Sequence, residues 1–305
     1  MKKRLPQLSA LQAFVTIADT GSFSRTAGAL SLTHSAISHQ IRQLEDHLGV
    51  RLLDRHTTGV SLTKAGALYL EEVRGALEQL DYAATIARGE LENRPLRISV
   101  LPSFAGSLLV PELLSFLEKH PEIHIEIDAT AGTEKDANTN IDLFIRYGNG
   151  DWPGYESSKL MDVYLFPVCS PDYLKRHGPI SELNDLSRVV LLRHTMQPWE
   201  PWFEANRKDK DAELFSVLPA GPLYTDARVM QVAARDGQGV ALVRDVLVES
   251  DLREGKLVRL FSELTPSEKG YYAFYKPSSS QRQNFKVFLS WLIEVCEQLK
   301  PTHSF

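Results

Sequence analysis

The sequence has only two cysteines among 305 residues, Cys169 and Cys296. Two distant thiols form no disulfide framework and no zinc-ligand spacing, which points to a reducing compartment. No apolar run reaches 18 residues, so no membrane-spanning helix is expected. Lys2-Lys3-Arg4 opens the chain without a long apolar core behind it, so no secretory signal is read and a cytoplasmic location is expected. The nine histidines never fall at a His-x3-His spacing with a third ligand nearby, so no metal site is expected. Gly148-Asn149-Gly150 and Gly237-Gln238-Gly239 read as turns, not as a phosphate-binding loop, and no cofactor is expected. No nucleophile signature of a hydrolase is present, which argues against an enzyme.

What is present is unevenly distributed. The net charge is −5, yet residues 1–66 carry eight basic and four acidic side chains, a balance of +4. The remainder carries 26 basic and 35 acidic residues, a balance of −9. A polyanionic partner therefore belongs at the N-terminal end. A length of 305 residues suggests two or three domains.

Residues 24–48 are the most informative stretch. A short helix is predicted over 25–30 with Ser24 as its cap, followed by a turn at Ser31-Leu32. Thr33 caps a second helix, 34–48, in which Ile37, Ile41, Leu44 and Leu48 form one apolar stripe. The opposite face carries His34, Ser35, Ser38, His39 and Arg42. Short donors and acceptors of this kind suit base edges in a DNA major groove, where the second helix of a helix-turn-helix lies. A preceding helix, 8–20, places Leu8, Leu11, Phe14, Val15 and Ala18 on its core face, with Phe23 packing back just before the cap. Gly49 ends the reading helix, and 50–63 reads as a small hairpin turning at Thr57-Thr58-Gly59. Arg51 and Arg55 on that wing are placed to meet phosphate.

Residues 64–91 contain no proline, and Ala65, Tyr69, Val73, Ala76, Leu80, Ala83 and Ala87 recur at helical spacing. One helix of about 28 residues, ~42 Å long, follows. Its narrow stripe suits pairing with a second copy better than packing on its own chain. Residues 92–95, ending in Arg94-Pro95, form a hinge.

Beyond the hinge the pattern is α/β. Strands are predicted at 96–101, 123–129, 141–146, 164–169, 189–192, 239–243 and 271–275. Helices are predicted at 105–120, despite Pro111, and at 171–176, 199–205, 226–236, 245–254 and 281–299. Two such halves would enclose a cleft.

The residues Ser22-Phe23-Ser24-Arg25-Thr26-Ala27, Thr33-His34-Ser35-Ala36-Ile37-Ser38-His39-Gln40-Ile41, Leu44-Glu45, Leu48-Gly49, Leu52-Leu53-Asp54-Arg55, Leu62-Thr63 and Ala65-Gly66 together resemble the LysR-type transcriptional regulators. Leu101-Pro102-Ser103-Phe104, the run from Arg146 to Gly154, and Pro167-Val168-Cys169-Ser170-Pro171 look like the branch that holds the glycine-cleavage activator and the β-lactamase regulator. The resemblance implies a winged helix-turn-helix over 1–63 and a dimerising linker over 64–91. It further implies a two-subdomain, periplasmic-binding-protein-like effector domain over 96–305, divided as 96–162 plus 268–305 and 163–267. The partners it implies are double-stranded promoter DNA, a small-molecule effector, further copies of the chain as a homodimer or homotetramer, and RNA polymerase. His34-Ser35 and His39 stand where relatives often carry Gln-Pro or Gln-Ser, and Arg.

The DNA-contacting residues expected are then Ser24, Arg25, Thr33, His34, Ser35, Ser38, His39, Arg42, Arg51 and Arg55, with Lys64 an added phosphate contact. Ordinary solvent exposure is the competing reading. The effector-contacting residues expected are Ser103, Phe104, Thr130, Tyr147, Thr225, Asp226 and Tyr272. Of these, Ser103, Asp226 and Tyr272 rest on the resemblance. Each could instead be a cap or a structural hydrogen bond, and Asp226 is a plain N-cap candidate. Asp226 would favour an amine or hydroxyl on the ligand, which leans towards an amino acid or peptide-like molecule. Cys169 and Cys296 read as buried structural thiols, and Trp152, Trp199 and Trp202 as packing residues. Residues 96–300 alone would also suit a solute-binding protein without a transcriptional role.

Overall fold

The computed structural model describes residues 5–56, 59–89, 94–132, 140–207 and 220–299. The chain divides into two compact units near residue 91.

The N-terminal unit begins with three helices, α1 (Leu8–Thr20), α2 (Phe23–Ala29) and α3 (His34–Leu48). Gly21 and Gly49 end α1 and α3 in left-handed conformations, φ 62° and 70°, which a side chain would resist. The cap of α2 is Ser22, not Ser24: its hydroxyl accepts from the Arg25 amide. Phe23 accordingly lies inside the helix, buried in the shared core. The core face of α1 also differs from expectation. Ala10, Ala13, Phe14 and Ile17 are buried, whereas Leu8 is 48% exposed. Two alanines on that face fit a core shared by closely packed short helices, a preference that apolar periodicity does not register.

Strands β1 (Leu53–His56) and β2 (Gly59–Leu62) pair antiparallel as the wing. Thr57 and Thr58 of the predicted turn lie outside the described residues. Glu45 of α3 fixes the wing's entry by accepting from the amides of Leu52 and Leu53 at 2.8 and 3.2 Å. Helix α4 (Lys64–Arg88) follows. It stops three residues short of the predicted end, at Gly89 with φ 71°; Leu91 and residues 92–93 of the predicted hinge lie outside the described residues. Gly66, Tyr69, Leu70 and Val73 turn inward, and Tyr69 and Leu70 join the N-terminal core. Ala76, Leu80, Ala83 and Ala87 of the predicted stripe are exposed. The stripe thus packs on its own chain only in its first half.

The second unit holds two sheets. Its first strands and helices are β3 (Leu96–Val100), the short turn α5 (Pro102–Phe104), a π-helical turn at Ala105–Leu109, α6 (Val110–Lys119), β4 (Ile125–Ala129), β5 (Leu143–Gly148) and β6 (Glu156–Met161). The predicted helix 105–120 forms, with a π turn over its first five residues and an earlier start at Pro102. Pro111, which has no N–H to donate, sits in the first turn of α6, after the π turn. Next come β7 (Tyr164–Cys169), α7 (Pro171–His177), β8 (Leu191–His194), α8 (Glu200–Asn206), β9 (Ala220–Tyr224), α9 (Ala227–Arg235), β10 (Val240–Arg244), α10 (Asp245–Arg253), β11 (Val258–Arg259), β12 (Thr265–Pro266), β13 (Gly270–Tyr275) and α11 (Gln283–Gln298).

One sheet has the order β4-β3-β5-β13-β6, the other β11-β7-β10-β8-β9, with β12 also on β7. In each, three neighbouring strands run parallel and the rest add antiparallel. The described chain passes between the sheets twice, after β6 and before β13, and one apolar core runs through both. Cys169 and Cys296 lie in it, and burial pushes their thiols up to about 11 and about 12. No helix among the described residues is long and apolar enough to cross a membrane.

Candidate nucleic-acid and effector sites

Helix α3 is capped by Thr33, whose hydroxyl accepts from the Ala36 amide at 3.2 Å and meets the Ser35 hydroxyl at 3.0 Å. Ile37, Ile41 and Leu44 anchor its inner face completely. That leaves Ser35, His39 and Arg42 exposed on the helix, with His34 and Thr33 exposed at its N-terminus. Ser38 is only half-exposed, and its hydroxyl is buried without a partner among the described residues. Ser24 and Arg25 are exposed on α2.

On the wing, Arg51 and Arg55 are exposed. The Arg55 guanidinium stacks 4.5 Å from the Phe23 ring centroid, and Phe23 meets the His34 ring at 5.5 Å. One buried aromatic thereby fixes a wing cation and the first residue of α3 relative to each other. A cavity of about 760 Å³ is lined by Arg42, Arg51 and Arg55, and also by Glu45, Asp46 and Asp54. Thr63 closes the wing by donating to the Arg51 carbonyl, and it also accepts from the Gly66 amide at the start of α4.

In the second unit, a polar cluster forms where the two sheets meet. Ser103 and Phe104 follow β3 and are buried, and the Phe104 ring lies 4.8 Å from Tyr271. Tyr147 at the end of β5 is also buried; its hydroxyl meets Ser267 at 2.5 Å. From the other sheet Arg244, at the end of β10, reaches across. Its Nη1 donates to the Tyr271 hydroxyl at 2.9 Å, its Nε to Gln197 at 3.0 Å, and its guanidinium lies 4.0 Å from the Tyr147 ring centroid. Gln197 is held in turn by donating to the Leu242 carbonyl. Burial pushes the Tyr271 phenol up, against the pull of Arg244 and the nearby Ser103 hydroxyl.

His194 ends β8 beside this group. Burial first, and then the Arg244 charge, bring its imidazole down to about 4; Asp226 and the Thr225 carbonyl oppose that shift only in part. Its Nδ1 accepts from the Met196 amide, so the neutral ring carries its proton on Nε2. Asp226 is the N-cap of α9, accepting from the Arg228 and Val229 amides at 2.9 and 3.1 Å.

Tyr272 corrects a sequence expectation. It points to the opposite face of the sheet, against Trp152 and Gly150, because side chains alternate along β13. Its neighbour Tyr271 occupies the inter-sheet position. Thr130 is engaged locally: its hydroxyl accepts from the Gly132 amide, and its own amide donates to the Val100 carbonyl. Thr225 is exposed at the cluster's edge. The residues that sequence reasoning missed are Tyr271, Arg244, Gln197 and His194. Arg244 carried a signal: a lone arginine closing the apolar run Val240–Val243 and followed by Val246-Leu247-Val248. Ending the predicted strand at Val243 left it between elements.

The helix-turn-helix geometry and the two-sheet unit each have counterparts. A family model described as the bacterial regulatory helix-turn-helix protein, lysR family, matches residues 8–67, and one described as the LysR substrate binding domain matches residues 89–297. The chain is 33% identical over 299 residues to the glycine cleavage system transcriptional activator of Escherichia coli, covering 96% of this chain and 95% of that one. Among solved structures, CrgA, a LysR-type transcriptional regulator from Neisseria meningitidis, is 25% identical, with a TM-score of 0.56 over 97% of this chain and 99% of that one. The effector domain of the transcriptional regulator AmpR of Pseudomonas aeruginosa is also 25% identical, with a TM-score of 0.58, covering 67% of this chain and 96% of that domain.

Proposed function

This chain belongs to the LysR family of bacterial helix-turn-helix regulators, and from that premise we propose how its own residues divide the work. It is a LysR-type transcriptional regulator with a DNA-binding module and an effector-binding domain. In the proposed reading, His34, Ser35, His39 and Arg42 meet base edges of double-stranded promoter DNA, and Ser38, its hydroxyl buried, lies behind them. Ser24, Arg25, Thr33, Arg51, Arg55 and Lys64 meet phosphate. The observation that carries this is the exposed polar face of α3, held rigid by three buried apolar side chains and a capped N-terminus. Base contacts specify sequence, and phosphate contacts position without specifying.

The test is a pair of titrations against operator and scrambled duplex at several salt concentrations. Arg42→Ala should lose about 1–3 kcal/mol on operator alone. Arg55→Ala should weaken both duplexes alike and lower the salt slope by about one unit. Equal losses on both duplexes for both variants would defeat the assignment.

Further parts of the proposal concern assembly and control. The exposed half of α4 suits pairing in a homodimer, and two such dimers would make a homotetramer. An effector of amino-acid or peptide-like chemistry, bound between the two sheets, would change their angle and with it the spacing of the reading helices. RNA polymerase is the partner through which a promoter-bound regulator would act. The division of the second unit at residues 162 and 268 is proposed on its two crossing segments.

A further inference from the structure

We propose that Arg244 receives a carboxylate group of the effector. This rests on the reading of the inter-sheet region as the effector site and adds the ligand's charge to it.

Arg244 is 2% exposed. A guanidinium offers five N–H donors. Nε and Nη1 are engaged by Gln197 and Tyr271, and the cation's face rests on Tyr147. Its Nη2 is buried and has no acceptor among the described residues. No described Asp or Glu forms an ion pair with it. The adjacent Asp245 turns one carboxylate oxygen to the Tyr164 amide. Arg282, 1% exposed, shows how this protein treats its other most deeply buried guanidinium: Asp142 answers it at 2.9 Å. A buried charge without a counter-charge is costly. At Arg244 the compensating groups are two neutral oxygens and an aromatic face.

The surroundings favour a monoanion of carboxylate shape. Ser103, Tyr147, Gln197 and Tyr271 are uncharged, and His194 is neutral near pH 7. Among the described residues no carboxylate forms an ion pair with Arg244, and no second cation acts on Tyr271 or His194. One hydrogen on Nη1 and both on Nη2 remain, so the guanidinium keeps donors for a carboxylate. The site is closed around Arg244 as it stands. The sheets are linked by two short crossing segments, Asp162–Val163 and Ser267–Lys269, and parting them would admit the ligand. Asp226, on the same side as His194, supplies the complementary negative pole.

The test uses the full-length chain and three matched pairs of probes at equal ionic strength: formate with formamide, acetate with acetamide, benzoate with benzamide. Binding to the folded state raises Tm. At least one carboxylate should raise it by about 2–4 °C while its amide does not. Arg244→Met should abolish that difference, and Lys175→Met, altering an exposed cation on α7 that pairs with Asp172, should leave it intact. If Arg244→Met does not fold, the carboxylate–amide contrast in the wild-type chain decides, with Arg244→Lys weakening the response. No contrast in any pair, or the same contrast in Arg244→Met, would overturn the proposal. Operator binding by the same preparation separates the two readings. Intact DNA binding without a carboxylate response removes this inference alone, and lost DNA binding removes the proposed function.

Discussion

Asp142 is completely buried and holds two arginines at once, Arg282 at 2.9 Å and Arg94 at 3.0 Å. The same oxygen accepts from the Arg97 amide, and Arg282 also donates to the Arg94 carbonyl. Asp142→Asn would leave two guanidiniums facing a neutral amide. Removing one partner of a buried pair typically costs ~3–5 kcal/mol. Urea denaturation of the second unit should show a loss of that order, and a loss below ~1 kcal/mol would contradict it. His194 carries a pH prediction. Its folded pKa of about 4 lies below the ordinary histidine value of 6.5. Between those values the unfolded chain binds the extra proton, so stability is full above pH 6.5 and falls as the pH drops towards 4. The shift corresponds to a loss on the order of 3 kcal/mol. In His194→Gln that part of the slope should vanish, as measured by thermal melts across the window; an unchanged slope would assign it to other groups.

At the scale of the element, α4 contains two glycines with opposite roles. A Cβ on Gly66 would stand 2.0 Å from the Leu52 carbonyl oxygen, a backbone atom of the wing's entry. Gly66 is what lets the linker helix lie against that segment. Gly66→Ala should force them apart and destabilise the N-terminal unit by at least ~1–3 kcal/mol. A Cβ on Gly75 would meet nothing within 4 Å. Gly75→Ala should stabilise the helix by about 0.5–1 kcal/mol. Far-UV circular dichroism melts of the two variants should therefore move in opposite directions. A common direction would show that helix propensity, not the wing contact, governs this helix.

At the scale of the whole molecule, the exposed stripe Ala76, Leu80, Ala83 and Ala87 in the second half of α4 is the feature that a single chain leaves unexplained. Leu80 is 54% exposed. Under the proposed pairing, Leu80→Glu should shift the sedimentation profile towards monomer and weaken binding to a two-half-site operator at least about tenfold. A variant that sediments as wild type would remove α4 from the interface. Leu114 and Val229, 65% and 55% exposed on α6 and α9, are further apolar surface available to assembly. DNase footprints with and without effector should differ in extent or bend if the angle between the sheets controls the spacing of the reading helices.

The sequence by itself determined α3 from its Thr33 cap to Gly49, the Ser31-Leu32 turn, the existence of the linker helix and the alternation of strands and helices beyond it. Each of these is written within a few residues, as a cap, a left-handed glycine or a helical period. The cap of α2 slipped by two residues because Ser22 and Ser24 offer the same hydroxyl. Strand β6 was missed because it is a polar edge strand, paired only with β13, and β11 and β12 because two residues carry no period. The inter-sheet cluster was only partly legible. Ser103, Phe104 and Tyr147 could be placed at strand ends, but the choice of Tyr271 over Tyr272 depends on which face of β13 meets the core. Arg244 meets Gln197 and Tyr271, which are 47 and 27 residues away. Such contacts have no local pattern. They exist because two sheets meet there, so only the tertiary structure decided which cation would be buried between them without an acidic partner among the described residues.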